Sequence, residues 1–218
     1  LAHLKTLIFL STIICSSFLC LGPLTAATVN LVQNGSFEED YPVSNPAYVT
    51  LYGGSSAITG WTVTGSPSFN SIDWVGSHWT AADGVRSIDL SGNAIGGIQQ
   101  TFSTVVNQQY KLSFSLAGNP DGEPTTKQML TFGAGTLFVE GLLFDTTGKT
   151  RDNMGWTDKV FYFTALSDYT TLFFQSLTGT AFGPALDNVS VSAVPLPAAA
   201  WMLGAGLVAL VAMRRRTI

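Results

Sequence analysis

Four tryptophans, Trp61, Trp74, Trp79 and Trp156, fall between residues 28 and 193, with Tyr41, Tyr48 and Tyr52 near the start of that stretch. Aromatic faces stack on the apolar C–H faces of sugar rings, while the sugar hydroxyls need fixed polar partners. A mostly apolar pocket with a few placed polar groups is the general form of a ligand site. The polar groups nearby in sequence are Asp73, His78, Asp83 and Arg86. A core also needs large side chains, and Trp61 and Trp74 fit a core better than a site. Trp79, beside His78 in the turn-like Gly76-Ser77-His78-Trp79, is the tryptophan expected to be exposed. Asp83, Arg86 and Asp89 are close enough along the chain for an ion-pair cluster, since the guanidinium fork suits a bidentate carboxylate. A structural role fits that cluster better than ligand binding.

Signatures of catalysis are sparse. Asp73 with Asp83, or Asp83 with Asp89, are the pairs that could act as glycosidase carboxylates, but their spacing singles out neither. Once a leader is set aside, His78 is the sole histidine, which excludes a histidine-rich zinc site. There is no Gly-x-Ser-x-Gly elbow. The glycine-rich stretches carry no phosphate-loop or dinucleotide fingerprint. Between residues 28 and 193 lie six basic residues and all fourteen acids, a net charge of −8. Such a domain has little to neutralise phosphate, so a nucleic-acid partner is not expected.

The elements that must position these residues read as strands. Tyr110, Leu112, Phe114 and Leu116 alternate with Lys111, Ser113 and Ser115, the pattern of a half-buried strand. Val160 and Tyr162 oppose Phe161 and Phe163, which predicts a strand buried on both faces. Further strands are expected at Ser71–Val75, Ser87–Leu90, Gly97–Phe102, Met129–Phe132, Thr136–Phe144, Thr170–Leu177 and Leu186–Val191. Turn signals such as Asp83-Gly84, Ser91-Gly92-Asn93 and Gly118-Asn119-Pro120-Asp121-Gly122 separate them. The hexapeptide from Ser71 echoes the one from Ser87, each with an Ile-Asp pair, and reads as two similar strands. Charged residues make up only 11% of the chain and no long stretch carries a helical period. Many short strands at about ten-residue spacing predict an all-β sandwich of two antiparallel sheets.

Both ends differ from this middle. Lys5 precedes an apolar stretch from Leu7 to Leu21; Gly22-Pro23 and the small Thr25-Ala26-Ala27 follow. This pattern predicts a signal helix over 1–27, removed by signal peptidase before Thr28. Cys15 and Cys20 lie inside it, so the domain over 28–193 has no disulfide. Ser17-Phe18-Leu19 lacks the small residues that lipidation of Cys20 would want. From 194 to 218, Val194-Pro195-Leu196-Pro197-Ala198 leads into an apolar run over Ala199–Met213, then Arg214-Arg215-Arg216. As a helix the run spans about 23 Å. That is short of the ~30 Å hydrocarbon core, so a lasting anchor needs bilayer thinning or flanking residues. The arginines predict a cytoplasmic side for this end.

This tail resembles the PEP-CTERM class of sorting signals, in its Val-Pro-Leu-Pro-Ala variant. The resemblance implies an exosortase partner, a Gram-negative host and transient membrane anchoring before release to the cell surface or medium. The middle resembles the choice-of-anchor C family, which is related to plant cell-wall proteins with tandem galactose-binding-like domains. The resemblance rests on Asn30-Leu31-Val32-Gln33-Asn34-Gly35-Ser36-Phe37-Glu38, Ile58-Thr59-Gly60-Trp61, Ala82 to Gly92, Gly97-Ile98-Gln99-Gln100-Thr101, Asn153-Met154-Gly155-Trp156 and Gly183-Pro184-Ala185-Leu186-Asp187-Asn188-Val189. It implies a galactose-binding-like jelly roll in which the Asn30 segment is the first strand and turn. In such folds first and last strands run close together, so Glu38 and Asp187, with a further oxygen from Asn34 or Glu39, are expected to share a structural calcium ion. The alternative is that Asn34-Gly35 is only a turn and Asp187 caps a strand.

The reading that follows is an exported surface or matrix protein, a non-catalytic module that binds exopolysaccharide or cell-wall glycan. The alternatives are a structural or protein-binding matrix protein and, further off, a glycan hydrolase.

Overall fold

A computed structural model describes residues 29–40, 44 and 46–195. The expected signal helix, the apolar C-terminal helix, and Leu196, Pro197, Ala198, Arg214, Arg215 and Arg216 of the sorting motif lie outside the described residues. So does Tyr41.

Eleven strands are described: β1 (Tyr48–Tyr52), β2 (Thr62–Val63), β3 (Ser71–Val75), β4 (Ser87–Asp89), β5 (Gly97–Ser103), β6 (Gln109–Gly118), β7 (Thr126–Ala134), β8 (Val139–Asp145), β9 (Thr157–Thr164), β10 (Tyr169–Ser176) and β11 (Pro184–Ala193). They form two antiparallel sheets. One has the order β1-β3-β4-β11-β6-β9, the other β2-β5-β10-β7-β8. From β4 onward the chain switches sheet at every connection but the β7–β8 hairpin, which is the winding of a jelly roll.

The alternation read in β6 places Tyr110, Leu112, Phe114 and Leu116 in the core. Phe114 meets Phe174 of β10 edge-on at 5.1 Å, joining the two sheets. Phe174 in turn meets Trp61 at 6.2 Å, and Trp61 meets Phe37 at 5.5 Å. Trp61 and Trp74 are both 2% exposed. Their indole N–H groups are not idle, because a buried N–H needs a partner. Trp61 donates to the carbonyl of Asn34 and Trp74 to that of Phe37, each at 3.0 Å. The two tryptophans thus fasten the 30–38 segment across the core.

Two expectations change. The Asn30–Phe37 segment is not a strand. It runs beside β11 with two backbone hydrogen bonds, Leu31 N to Val191 O and Val189 N to Gly35 O, both 2.8 Å. Asn34 and Phe37 have φ of 50° and 61°, which breaks any extended ladder. Gly35 is required there, since a Cβ would lie 1.9 Å from Val189 O. The strand β9 is not buried on both faces. It is the edge of its sheet, and Val160 and Tyr162 face solvent. Apolar content alone does not distinguish a doubly covered strand from an edge strand with one apolar exposed row.

Candidate functional site

The hexapeptide echo locates the site. β3 and β4 are antiparallel neighbours and Asp73 stands directly opposite Asp89. Residues alternate across a strand. With Ile72, Trp74 and Ile88 in the core, Asp73 and Asp89 project from the other face of the sheet. There they reach a cleft of about 290 Å³. Its walls include Tyr48, His78, Asn93, Asn119, Asp121, Arg151 and Phe182. These come from one pole of the sandwich, where β6 ends at Gly118 and β11 begins at Pro184.

Polar groups of the cleft are fixed by neighbours. Asp121 is the hub: Arg151 Nε donates to its Oδ1 and the His78 Nε2 pairs with its Oδ2, both at 2.8 Å. Burial alone would raise the Asp121 carboxyl, but the hydrogen bonds from Arg151 and His78 outweigh it and hold the group below the ordinary carboxylate range. The His78 ring packs edge-on against Tyr48 at 5.4 Å. Asn93 Nδ2 donates to the Tyr52 hydroxyl at 2.9 Å. Thr50 Oγ1 donates to Asp73 Oδ1 at 2.6 Å. Burial nevertheless pushes the Asp73 carboxyl up, against that hydrogen bond and the attraction of His78.

Asp89 is the deepest group and is 1% exposed. Its Oδ1 accepts from Ser91 N at 2.9 Å and Gly183 N at 3.1 Å, and its Oδ2 accepts from Asn119 Nδ2 at 2.7 Å. Burial still pushes its carboxyl up to about 8, and Asp73 across the ladder adds to the rise. Both oxygens are therefore committed to the three segments that frame the cleft floor.

The sequence-based candidates divide. Asp73 and His78 line this cleft. Trp79 touches its wall but is 6% exposed, not the exposed platform expected. Its indole N–H donates to Ser87 Oγ at 2.7 Å, so the ring is packed down on the sheet. Trp79→Phe is expected to cost about 1–2 kcal/mol of stability by stranding that hydroxyl, with ligand retention unchanged, as read by thermal melts beside binding assays.

Arg86 lies elsewhere, in a second cleft with Gly84, Val85 and Trp79. The Asp83–Arg86–Asp89 cluster does not assemble around Asp89, whose oxygens are spent as described. Asp83 stands on the same 82–86 loop as Arg86. The residues that sequence reasoning missed are Asn93, Asn119, Asp121, Arg151 and Phe182. Asn119 and Asp121 sit in a turn signal that was legible, but turn chemistry does not reveal which loops meet.

Glu38 and Asp187 do not fit a shared calcium site. Glu38 Oε1 accepts from Val85 N and Arg86 N, both 2.7 Å. Asp187 Oδ2 accepts from Ala82 N at 2.8 Å and Asp83 N at 2.9 Å, and its Oδ1 from Asn188 N at 2.6 Å. These partners are amide hydrogens, the surroundings of an anion and not of a cation, which needs six to eight oxygens. Asn34 is spent too: its Nδ2 donates to Thr59 O at 3.2 Å and its Oδ1 accepts from Glu39 N at 3.1 Å. Among the described residues no group of three or more His, Cys, Asp or Glu is placed to hold a metal ion.

Fold and site together define a two-sheet jelly roll with a polar, aromatic-edged cleft at one pole. The chain belongs to the family described as "Protein of unknown function (DUF642)", whose model matches residues 30–192. It is 37% identical over 188 residues to Halomucin of Haloquadratum walsbyi, covering 83% of this chain and 2% of that one. It is 26% identical over 182 residues to the Arabidopsis thaliana protein DUF642 L-galactono-1,4-lactone-responsive gene 1, covering 76% of this chain and 46% of that one. The chain thus spans less than half the length of either relative. Among solved structures it is similar to TmCBM61 in complex with β-1,4-galactotriose, with a TM-score of 0.49, 12% identity, and coverage of 76% of this chain and 99% of that one. It is also similar to a family 16 carbohydrate-binding module, with a TM-score of 0.48, 17% identity, and coverage of 74% and 99%.

Proposed function

We propose that this DUF642 chain is a non-catalytic carbohydrate-binding protein that presents its polar cleft to a glycan. The observation that carries the reading is the lining. Tyr48 and Phe182 offer apolar ring surface, and Asp73, Asn93, Asp121 and Arg151 offer hydroxyl partners already held by hydrogen bonds or an ion pair. A site whose polar groups are fixed before binding loses less entropy on binding. A non-catalytic role fits the same geometry, because Asp89, the carboxyl facing Asp73, has its lone pairs tied to the cleft floor.

The proposal extends to export. A leader over 1–27 for signal peptidase follows from the residue pattern there, while recognition of Val194 to Ala198 by an exosortase and delivery to the surface or surroundings of a Gram-negative cell follow from the tail's resemblance. Placement with choice-of-anchor C proteins follows from that of the middle. The acidic middle of the chain supports a glycan partner over nucleic acid.

The test is retention of the full chain on the host's extracellular polysaccharide and on a panel of defined glycans. Tyr48→Ala and Arg151→Ala are each expected to weaken retention about tenfold, a loss of ~1.4 kcal/mol. Arg86→Ala, outside the cleft, leaves it unchanged. Absence of retention by the wild-type chain removes the glycan reading and leaves a structural matrix role. Retention indifferent to Tyr48 and Arg151 removes this cleft as the site.

A further inference from the structure

The pole opposite the cleft has a different character. Three loops meet there: residues 104–108 between β5 and β6, 135–138 in the β7–β8 hairpin, and 165–168 between β9 and β10. Backbone hydrogen bonds lock them together. Leu166 N donates to Gly135 O at 2.7 Å, Asn107 N to Ala165 O at 2.8 Å, and Thr104 N to Asp168 O at 2.8 Å. Each loop holds out apolar side chains. Leu137 is 88% exposed, Val105 67%, Leu166 51% and Val106 49%. Large apolar groups gathered at one end of a domain mark an interaction surface more often than scattered ones do.

The chain leaves the domain at this same pole. Val194 N donates to Gln109 O at 2.9 Å, and Gln108 Nε2 donates to Val194 O at 2.7 Å. The uncharged run Ala199–Met213 begins four residues after Pro195. Four residues reach at most about 14 Å.

We propose that this pole is a membrane-facing surface, its loop tips entering the headgroup layer of a lipid bilayer once the run over 199–213 is inserted. The tether is too short to hold the pole clear of the interface. The run over 199–213 has fewer apolar residues than the about 20 that crossing the hydrocarbon core takes, and a short span draws its flanks inward. The shape fits a bilayer better than a protein partner. Even with Val139 and Tyr162, which line one groove with Leu137 and Leu166, the exposed apolar side chains here fall far short of the about 20–30 residues a side of a stable protein interface. The three loops contain no Lys or Arg and one acid, Asp168, so docking is apolar and indifferent to lipid charge. β6 spans ten residues, roughly 33 Å at strand rise. With the tips in the headgroups, the cleft at the far end of β6 faces away from the membrane. The inference does not depend on what the cleft binds.

The experiment uses the full chain with Cys15 and Cys20 changed to Ala and one new cysteine carrying an environment-sensitive fluorophore. The cysteine is placed by Leu137→Cys at the tips or by Asp152→Cys in the β8–β9 loop at the cleft pole. In phosphatidylcholine vesicles the label at 137 is expected to shift to the blue and be quenched by lipid-borne nitroxide. The label at 152 stays open to aqueous iodide, and 0.5 M salt, about a 4 Å screening length, changes neither. Val105→Glu with Leu166→Glu should return the label at 137 to iodide while the chain stays on the vesicles. That separates insertion of the tips from mere tethering. Equal iodide access at 137 and 152 overturns the proposal. So does failure of the chain to sediment with vesicles, or protection at 137 that grows with protein concentration in the absence of lipid, which would show a second copy on this face.

Discussion

The melting temperature of the protein is expected to fall by about 5 °C or more as the pH is raised from 5 to 9. The cause is Asp89, whose carboxyl is pushed up from 3.8 to about 8, first by burial and further by Asp73, against hydrogen bonds from Ser91, Asn119 and Gly183. The folded chain keeps this proton up to about pH 8, while the unfolded chain releases it near pH 4. Between those values the unfolded state binds fewer protons, so each rise in pH favours unfolding. Asp187, raised to about 7 chiefly by burial, acts in the same sense over the lower part of the window. Asp121, held below the ordinary range, acts in the opposite sense, and its contribution is lost only as the pH falls below about 4. Lys127, fully buried and shifted downward by burial, opposes the trend only in the alkaline window below its usual value. One and a half units of the Asp89 displacement amount to ~2 kcal/mol. In a domain of this size 1 kcal/mol moves the melting temperature by about 2–4 °C. Asp89→Asn keeps an acceptor for Ser91 and Gly183 and removes the titration, so its profile should be flatter above pH 7. A wild-type profile level from pH 5 to 9, followed by calorimetry, would show that Asp89 is ionised in the folded chain.

The strands were legible where period and burial agree. Residues 71–75 read as one strand and are one, and 110–116 lie inside β6 with the expected inward face. The misses have physical reasons. β1 (Tyr48–Tyr52) is an edge strand, half-exposed along its length, and so shows no clear alternation. β2 is two residues long and leaves no period to read. The 30–38 segment is apolar enough for a strand, but its path is set by indole donors from Trp61 and Trp74, which lie 27 and 37 residues away from their acceptors. The cleft was half legible. Asp73 and His78 lie in one stretch of sequence and could be singled out together. Asp121 and Arg151 belong to two loops that meet only when β6 and β9 pair, and no local pattern records that meeting. The echo of Ser71 and Ser87 was visible, yet its meaning, two aspartates facing across a ladder, required the register.

Asp187→Ala is expected to lower stability by ~3 kcal/mol, and Glu38→Ala by about 2 kcal/mol, while a calcium chelator leaves the wild-type melting curve in place. The argument starts from the β3–β4 connection. Residues 76–86 form a long excursion over the outer face of the sheet, and Gly84 has a φ of 62°. Such a turn aims successive backbone N–H groups into one concavity, a ready anion site. Two such concavities exist here and the protein fills both with its own carboxylates. Glu38 enters from the 30–38 segment and caps Val85 and Arg86; a Cβ on Gly84 would strike its Oε1 at 2.3 Å. Asp187 enters from β11 and caps Ala82 and Asp83, beside the register shift between Asp187 and Ser190. Asp187 is wholly buried, so its removal strands amide donors with no water to replace it, at about 1–3 kcal/mol for each unsatisfied group. Glu38 is nearer the surface, and water recovers part of its loss. The two carboxylates thus bind the first and last parts of the domain to one loop, which is the closing function that sequence resemblance gave to a shared cation. Asp187→Asn should recover less than half of the Asp187→Ala loss, because its amide nitrogen must face an N–H donor on one side. Thermal melts with and without chelator decide between the two. A fall in melting temperature on chelation, reversed by added calcium and absent in Asp187→Ala, would restore the cation and overturn the carboxylate clamp.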